Sequence, residues 1–253
     1  MNKIVMITGA TSGIGEACAH KFAAEKHAVI ISGRREERLQ KLALKLRKDY
    51  EAQILPLVID LRNRDEVKKA IRGLPAAWQE IDVLVNNAGL ALGLTAFPEG
   101  DEDDWETMID TNVKGLLYMS KAVAPGMIAR GRGHVINIGS VAGREVYPRG
   151  NVYCATKHAV GALSKAMRIE MLPYGIRVTL VAPGAVETEF SLVRFKGDSE
   201  RARRVYEGYV PLHPADVAEV VYFATTLPPT ANIDDVLVMP TAQAGASTFH
   251  KKP

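Results

Sequence analysis

Short apolar, β-branched runs alternate with amphipathic stretches along the whole chain. The runs are Ile4–Ile7, Ala28–Ile31, Ile54–Ile59, Val83–Val85, His134–Ile138, Arg177–Val181 and Val236–Met239. Most lack polar alternation, as strands buried on both faces should. Between them, helical patterns cover Glu16–Glu25 and the charged segment Glu36–Lys48. Trp105–Arg130 reads as one long helix, and Tyr153–Met171 as a helix that stops before Pro173. Alternating strands and helices predict an α/β fold: a doubly wound parallel sheet with helices on both faces. No linker or low-complexity stretch divides residues 1–253, so one domain is expected. A ligand belongs at the carboxyl ends of the strands, near the point where strand order reverses. The rhythm breaks from about 188 to 214, where the sequence is polar, irregular and rich in Arg and Tyr. A stretch this long between strands predicts a substrate lid.

Composition narrows the class. Hydrophobic residues make up 47% and charged residues 24% of the 253 positions, which suits a globular protein. The net charge of +3 is scattered, which argues against a nucleic-acid surface. No run approaches the roughly eighteen apolar residues of a membrane span. The first residues run straight into a strand without a signal-peptide pattern, and the expected location is cytoplasmic. Cys18 and Cys154 offer neither a disulfide framework nor a metal spacing. The histidines His20, His27, His134, His158 and His213 show no metal spacing either, so no metal is expected.

After the first strand comes Thr8-Gly9-Ala10-Thr11-Ser12-Gly13-Ile14-Gly15, and then a helix. Glycines there let the backbone turn tightly and approach a pyrophosphate, while the helix N-terminus offers free N–H groups. The second strand ends Ser32-Gly33-Arg34-Arg35. An NAD site usually carries Asp or Glu roughly 20 residues past the loop, to hold the ribose 2′-OH. Two guanidiniums in that place suit a 2′-phosphate, so the expected cofactor is NADP (NADPH). The other reading is that Arg34 and Arg35 simply open the solvated helix with Glu36, Glu37 and Arg38.

Tyr153 and Lys157 stand four apart on a predicted helix and share a face. Bringing a phenol from about 10 to about 7 needs roughly 4 kcal/mol, which a nearby cation in a partly dry site can supply. Lys157 is the expected cation. The strand ending at Ile138 leads into Gly139-Ser140, and Ser140 can hydrogen-bond a substrate oxygen while Tyr153 exchanges its proton.

Thr8–Gly15, Asp60-Leu61, Asn86-Asn87-Ala88-Gly89, Asn112, Ser140, Tyr153 with Lys157, and Pro183-Gly184 followed by Thr188 occur in that order. In this, nearly the whole chain resembles the short-chain dehydrogenase/reductase family, whose fold is a single Rossmann-type sheet. The resemblance implies that Asp60 and Leu61 border the adenine and that Asn87 and Gly89 line the ribose side. It implies that Asn112 holds a water in a proton relay through Lys157. Pro183, Gly184, Val186 and Thr188 would hold the nicotinamide carboxamide.

Asn86–Leu92, Trp105–Asn112 and Glu189–Asp198 are similar to the subgroup acting on 3-hydroxy acids such as serine, allo-threonine and 3-hydroxypropionate. Homotetramers are common in that family, and the tail Ser247–Lys251 is a candidate to reach a neighbouring subunit. Arg149, before the catalytic helix, departs from the small residue expected there. With Arg194 of the lid it would bind a carboxylate or a sulfonate. The preferred expectation is therefore reduction of sulfoacetaldehyde to isethionate with NADPH. The alternatives are a 3-hydroxy acid dehydrogenase (including malonic semialdehyde as substrate) and a non-catalytic NADP-binding redox sensor.

Overall fold

The computed structural model describes residues 2–252. Seven strands form one parallel sheet: β1 (Ile4–Thr8), β2 (Ala28–Gly33), β3 (Ile54–Val58), β4 (Val83–Asn86), β5 (Gly133–Ile138), β6 (Ile176–Pro183) and β7 (Asp235–Val238). Their order is β3-β2-β1-β4-β5-β6-β7, so the chain winds outward in opposite directions from β1 and β4. The crevice that opens where the winding reverses lies at the carboxyl ends of those two strands. The Thr8 hydroxyl pins it there, accepting from the backbone N–H groups of Asn87 and Ala88 at 3.0 Å each.

Residue parity builds the two layers. Val5, Ile7, Val29, Ile31, Val83, Val85, Ile136 and Ile138 face one side and pack on α1 (Gly13–Ala24), α2 (Glu36–Tyr50) and later Val217 and Val221. Met6, Ile30, Leu84 and Val135 face the other. They pack on Val67 of α3 (Arg64–Arg72) and on Met119, Val123 and Met127. Each fully buried side chain of this size contributes about 1.5–3 kcal/mol.

The long helix expected over Trp105–Arg130 is three pieces: α4 (Glu102–Ile109), a π turn (Asp110–Gly115) and α5 (Leu116–Arg130). Asn112 sits in the π turn, exchanging two hydrogen bonds of 2.8 Å with the Leu90 backbone. π turns interrupt helices mostly at functional sites, and this one faces the crevice through Thr111. The helix α6 (Asn151–Met171) follows β5. Two short helices, α7 (Phe190–Arg194) and α8 (Ser199–Arg204), occupy the irregular stretch, and α9 (Pro214–Thr226) follows. No described helix is long and apolar enough to cross a membrane.

Candidate active site

The cleft at the strand ends is lined by Gly9, Thr11, Ser12, Gly13, Ile14, Arg34, Arg35, Asp60, Leu61, Asn87, Gly89, Ser140, Tyr153, Lys157, Pro183, Gly184, Val186 and Thr188. Gly15, Asn112, Arg149 and Arg194 are not in its wall. Gly15 acts from behind: a Cβ there would lie 2.4 Å from the Gly9 carbonyl oxygen, so a side chain would push the loop out of shape. Gly9 and Gly13 both hold positive φ, at 65° and 59°. Ser12 precedes α1 without a side-chain cap bond, which leaves the first N–H groups of the helix to a ligand. This cradle fits a dinucleotide pyrophosphate. Asn87 supports it by donating to the Thr8 and Gly9 carbonyls at 2.9 and 3.1 Å.

At the β2 tip, Arg34 lines the cleft and forms no ion pair among the described residues. Arg35 bonds the Thr11 hydroxyl at 2.6 Å and the Ser12 hydroxyl at 3.0 Å. Both guanidiniums line the cleft at the end of β2. The Asp60 carboxylate already takes a forked pair of bonds from Arg62, which holds its pKa below the usual carboxylate range.

The reactive group forms around α6. Tyr153 is 8% exposed, and the Ser140 side chain stands beside it. Burial pushes the phenol pKa up, and the neighbouring Tyr147 adds to the rise; Ser140 and Arg194 pull it back. Lys157 was expected to be the tuning cation, but its ammonium donates to the Ile138 carbonyl at 2.9 Å and stands 6.0 Å from the Tyr153 ring centre. Burial lowers its own pKa to about 8. Arg194 stands at a similar distance, its guanidinium carbon 5.7 Å from that ring centre. Gly93 and Tyr147 hold it, through an Nε bond of 3.0 Å to the carbonyl and an Nη1 bond of 2.9 Å to the hydroxyl. The Nη2 group makes no hydrogen bond among the described residues.

Arg149, expected in the pocket beside Arg194, lies elsewhere. Gly150 N–H bonds the Tyr147 carbonyl at 3.0 Å, Pro148 takes the second position of the turn, and Arg149 takes the third with φ of 66°. That is a type II turn, and its demand for a left-handed third residue puts Arg149 on the exposed surface. Three other residues of the site were not singled out from sequence. Phe190 stands edge-on to Tyr153 at 5.6 Å, Val193 closes the same wall, and Glu189 joins the lid root to Arg35. Their position directly after Thr188, where the lid begins, was the available signal.

The model of the short chain dehydrogenase family matches residues 3–197. The chain belongs to that family. This short-chain dehydrogenase is 50% identical over 244 residues to an NADP-dependent 3-hydroxy acid dehydrogenase of Salmonella typhi, covering 96% of this chain and 97% of the other. It is 44% identical over 245 residues to sulfoacetaldehyde reductase 2 of Chromohalobacter salexigens, covering 96% of each. Among solved structures, the closed form of serine dehydrogenase complexed with NADP+ superposes with a TM-score of 0.92 at 47% identity, covering 99% and 100% of the two chains.

Proposed function

We propose that this short-chain dehydrogenase interconverts a short 3-hydroxy acid and its 3-oxo acid with NADP(H). The observation that carries the substrate class is Arg194, a guanidinium fixed beside Tyr153 with its Nη2 group open. The similarity to 3-hydroxy acid and serine dehydrogenases points the same way. The sulfonate reading relied on Arg149 as a second guanidinium; neither arginine lines the cleft wall, but Arg194 stands over the Tyr153 ring whereas Arg149 is exposed on its turn. One guanidinium suits a planar carboxylate, which it meets with parallel N–H groups.

The glycine loop and α1 N-terminus hold the pyrophosphate, Arg34 and Arg35 the 2′-phosphate, and Lys157 stands close to Gly89 on the ribose side. NADPH, when bound, supplies a hydride to the substrate carbonyl carbon. Tyr153 donates its proton to the forming alkoxide, and Ser140 hydrogen-bonds the same oxygen. Burial keeps the phenol protonated at neutral pH, which readies it for reduction. Asn112 commits its side chain to Leu90 and Thr156, which fixes the π turn beside Lys157 and Gly89.

The test compares kcat/KM for 3-hydroxypropionate, L-serine and allo-threonine with that for sulfoacetaldehyde, in wild type, Arg194→Ala and Arg149→Ala. The carboxylates are expected to lead. Arg194→Ala should lose about 100-fold, since a charge-assisted pair in a partly dry site is worth roughly 2–5 kcal/mol. Arg149→Ala should stay within about twofold of wild type, as surface changes usually do. Preference for sulfoacetaldehyde, or indifference to Arg194, would overturn the assignment.

A further inference from the structure

Glu189 is the first lid residue past Thr188, and it does not sit idle at the mouth of the cleft. Its carboxylate accepts from Arg35 at 3.2 Å and from Arg38 at 2.8 and 2.9 Å. The two arginines stand on the opposite wall, around the start of α2. Arg35 also reaches over the phosphate loop to Thr11 and Ser12. Below this bridge the walls already approach each other: a Cβ on Gly13 would lie 3.1 Å from the Thr188 methyl. Glu189 therefore ties the root of the lid to the arginine cluster across the channel in which the pyrophosphate and 2′-phosphate lie.

We propose that Glu189 is a positioning residue that straps the lid over the bound dinucleotide, so that cofactor release requires the Glu189–Arg35–Arg38 bridge to open. Two arrangements of this cluster are chemically conceivable: the carboxylate persists beside a bound 2′-phosphate, or it competes with that phosphate for Arg35. The charges favour persistence. Arg34 lines the cleft without an ion pair among the described residues, so it can take the phosphate together with the loop hydroxyls. Arg38 is outside the cleft wall, and its hydrogen bonds go to Glu189. One carboxylate set against three guanidiniums leaves the subsite cationic after the strap is made. The groups are about half exposed, so the strap is a modest one that can open within a catalytic cycle.

This inference rests on the NADP reading and is tested by binding alone. NADPH fluorescence in a stopped-flow instrument gives the dissociation rate for wild type, Glu189→Gln and Arg38→Gln at low and high salt. Release should accelerate roughly threefold to tenfold in each variant, the magnitude of a partly exposed charge network. The double variant should be no faster than Glu189→Gln, because that change already removes the carboxylate from both arginines. Wild-type release should quicken with salt, and release from the variants should respond less. The swap Glu189→Arg with Arg38→Glu should recover part of the slow release. Unchanged release in both single variants would overturn the strap. Slower release from Glu189→Gln would overturn it too, and would identify the carboxylate as a competitor of the phosphate. Failure of wild type to bind NADPH would fall on the cofactor reading, and the strap with it.

Discussion

At Tyr153 the ring is asked to be dry and reactive at once. Its burial favours the protonated phenol, while Ser140 and Arg194 draw it toward ionisation. Removing the hydroxyl alone separates the chemistry from the binding surface. Tyr153→Phe should cut kcat by about a thousandfold, within the usual worth of a positioned proton donor, and leave the NADPH dissociation constant within about threefold. Steady-state rates beside fluorescence titration check both halves; substantial retained turnover would remove Tyr153 from the chemistry. Tyr153, Lys157 and Ser140 were legible because their relation is local, a helix spacing of four and a strand end. Arg149 and Arg194 were not separable in that way. Both are arginines near candidate loops, and only the type II turn at Tyr147–Gly150 and the fold of α7 decide which one meets the ring. That Arg194 joins Lys157 beside the Tyr153 ring was likewise invisible, since it depends on how α7 folds back over α6.

The strands were read almost to the residue, because a two-face-buried strand has a plain apolar signature. Helices fared less evenly. α3 is capped by Asn63 but buries Val67 alone, and α9 is preceded by His213, an unusual N-cap whose Nδ1 accepts from the Ala215 N–H, so α3 shows little apolar pattern and α9 no usual cap. The break between α4 and α5 was hidden because Asn112, which makes the π turn, takes its partner from a distant loop at Leu90. The pairing of β5 with β6 carries a pH-dependent element. Thr179 gives its single hydroxyl proton to the Ile233 carbonyl, so the His134 Nε2 at 2.8 Å must donate to it, and Nδ1, buried without a partner among the described residues, is the nitrogen left unprotonated. Burial, reinforced by Arg177 and Lys3, lowers the His134 pKa to about 3. The unfolded chain takes up this proton near the ordinary histidine pKa, and the folded chain does not. The stability contribution is whole above about pH 6.5 and is lost as pH falls toward about 3. Between about pH 7 and about pH 5 this one site should cost about 2 kcal/mol, and His134→Gln should lose less over that interval. Urea unfolding of both proteins at the two pH values measures it; equal losses would show that His134 titrates normally in the fold.

Across the whole molecule, the parts of the site that sequence left unplaced are those assembled by the C-terminal tail. That tail was a candidate to reach a neighbouring subunit, and within this chain it packs on the chain's own lid. Gln243 bridges to Phe249, whose ring lies 4.8 Å from Tyr209, and the Lys252 N–H bonds the Gly208 carbonyl at 2.7 Å. On the other side the Ala246 N–H bonds the Glu145 carboxylate at 2.8 Å, just past the turn that carries Ser140. Gln243 is the keystone: buried, it accepts from the Ala185 N–H at 2.8 Å and donates to the Gly245 carbonyl at 2.9 Å. Gly184 is required beside it, because a Cβ there would stand 2.4 Å from the Gln243 side-chain oxygen. Ala185 lies two residues past the end of β6, where the chain turns toward Val186 and the lid, so the tail fixes the root of the segment that carries Glu189, Phe190 and Arg194. Gln243→Ala leaves the Ala185 N–H without its acceptor, at about 1–3 kcal/mol. In a chain of this size that predicts a melting temperature lower by roughly 2–10 °C. The same loosening should raise KM for the hydroxy acid several-fold with kcat less affected, since Arg194 loses its fixed place while Tyr153, Ser140 and Lys157 keep theirs on α6 and β5. Calorimetry and initial rates on one preparation decide it. A lowered melting temperature with unchanged KM would confine Gln243 to stability, and a raised KM would make the tail part of the substrate site.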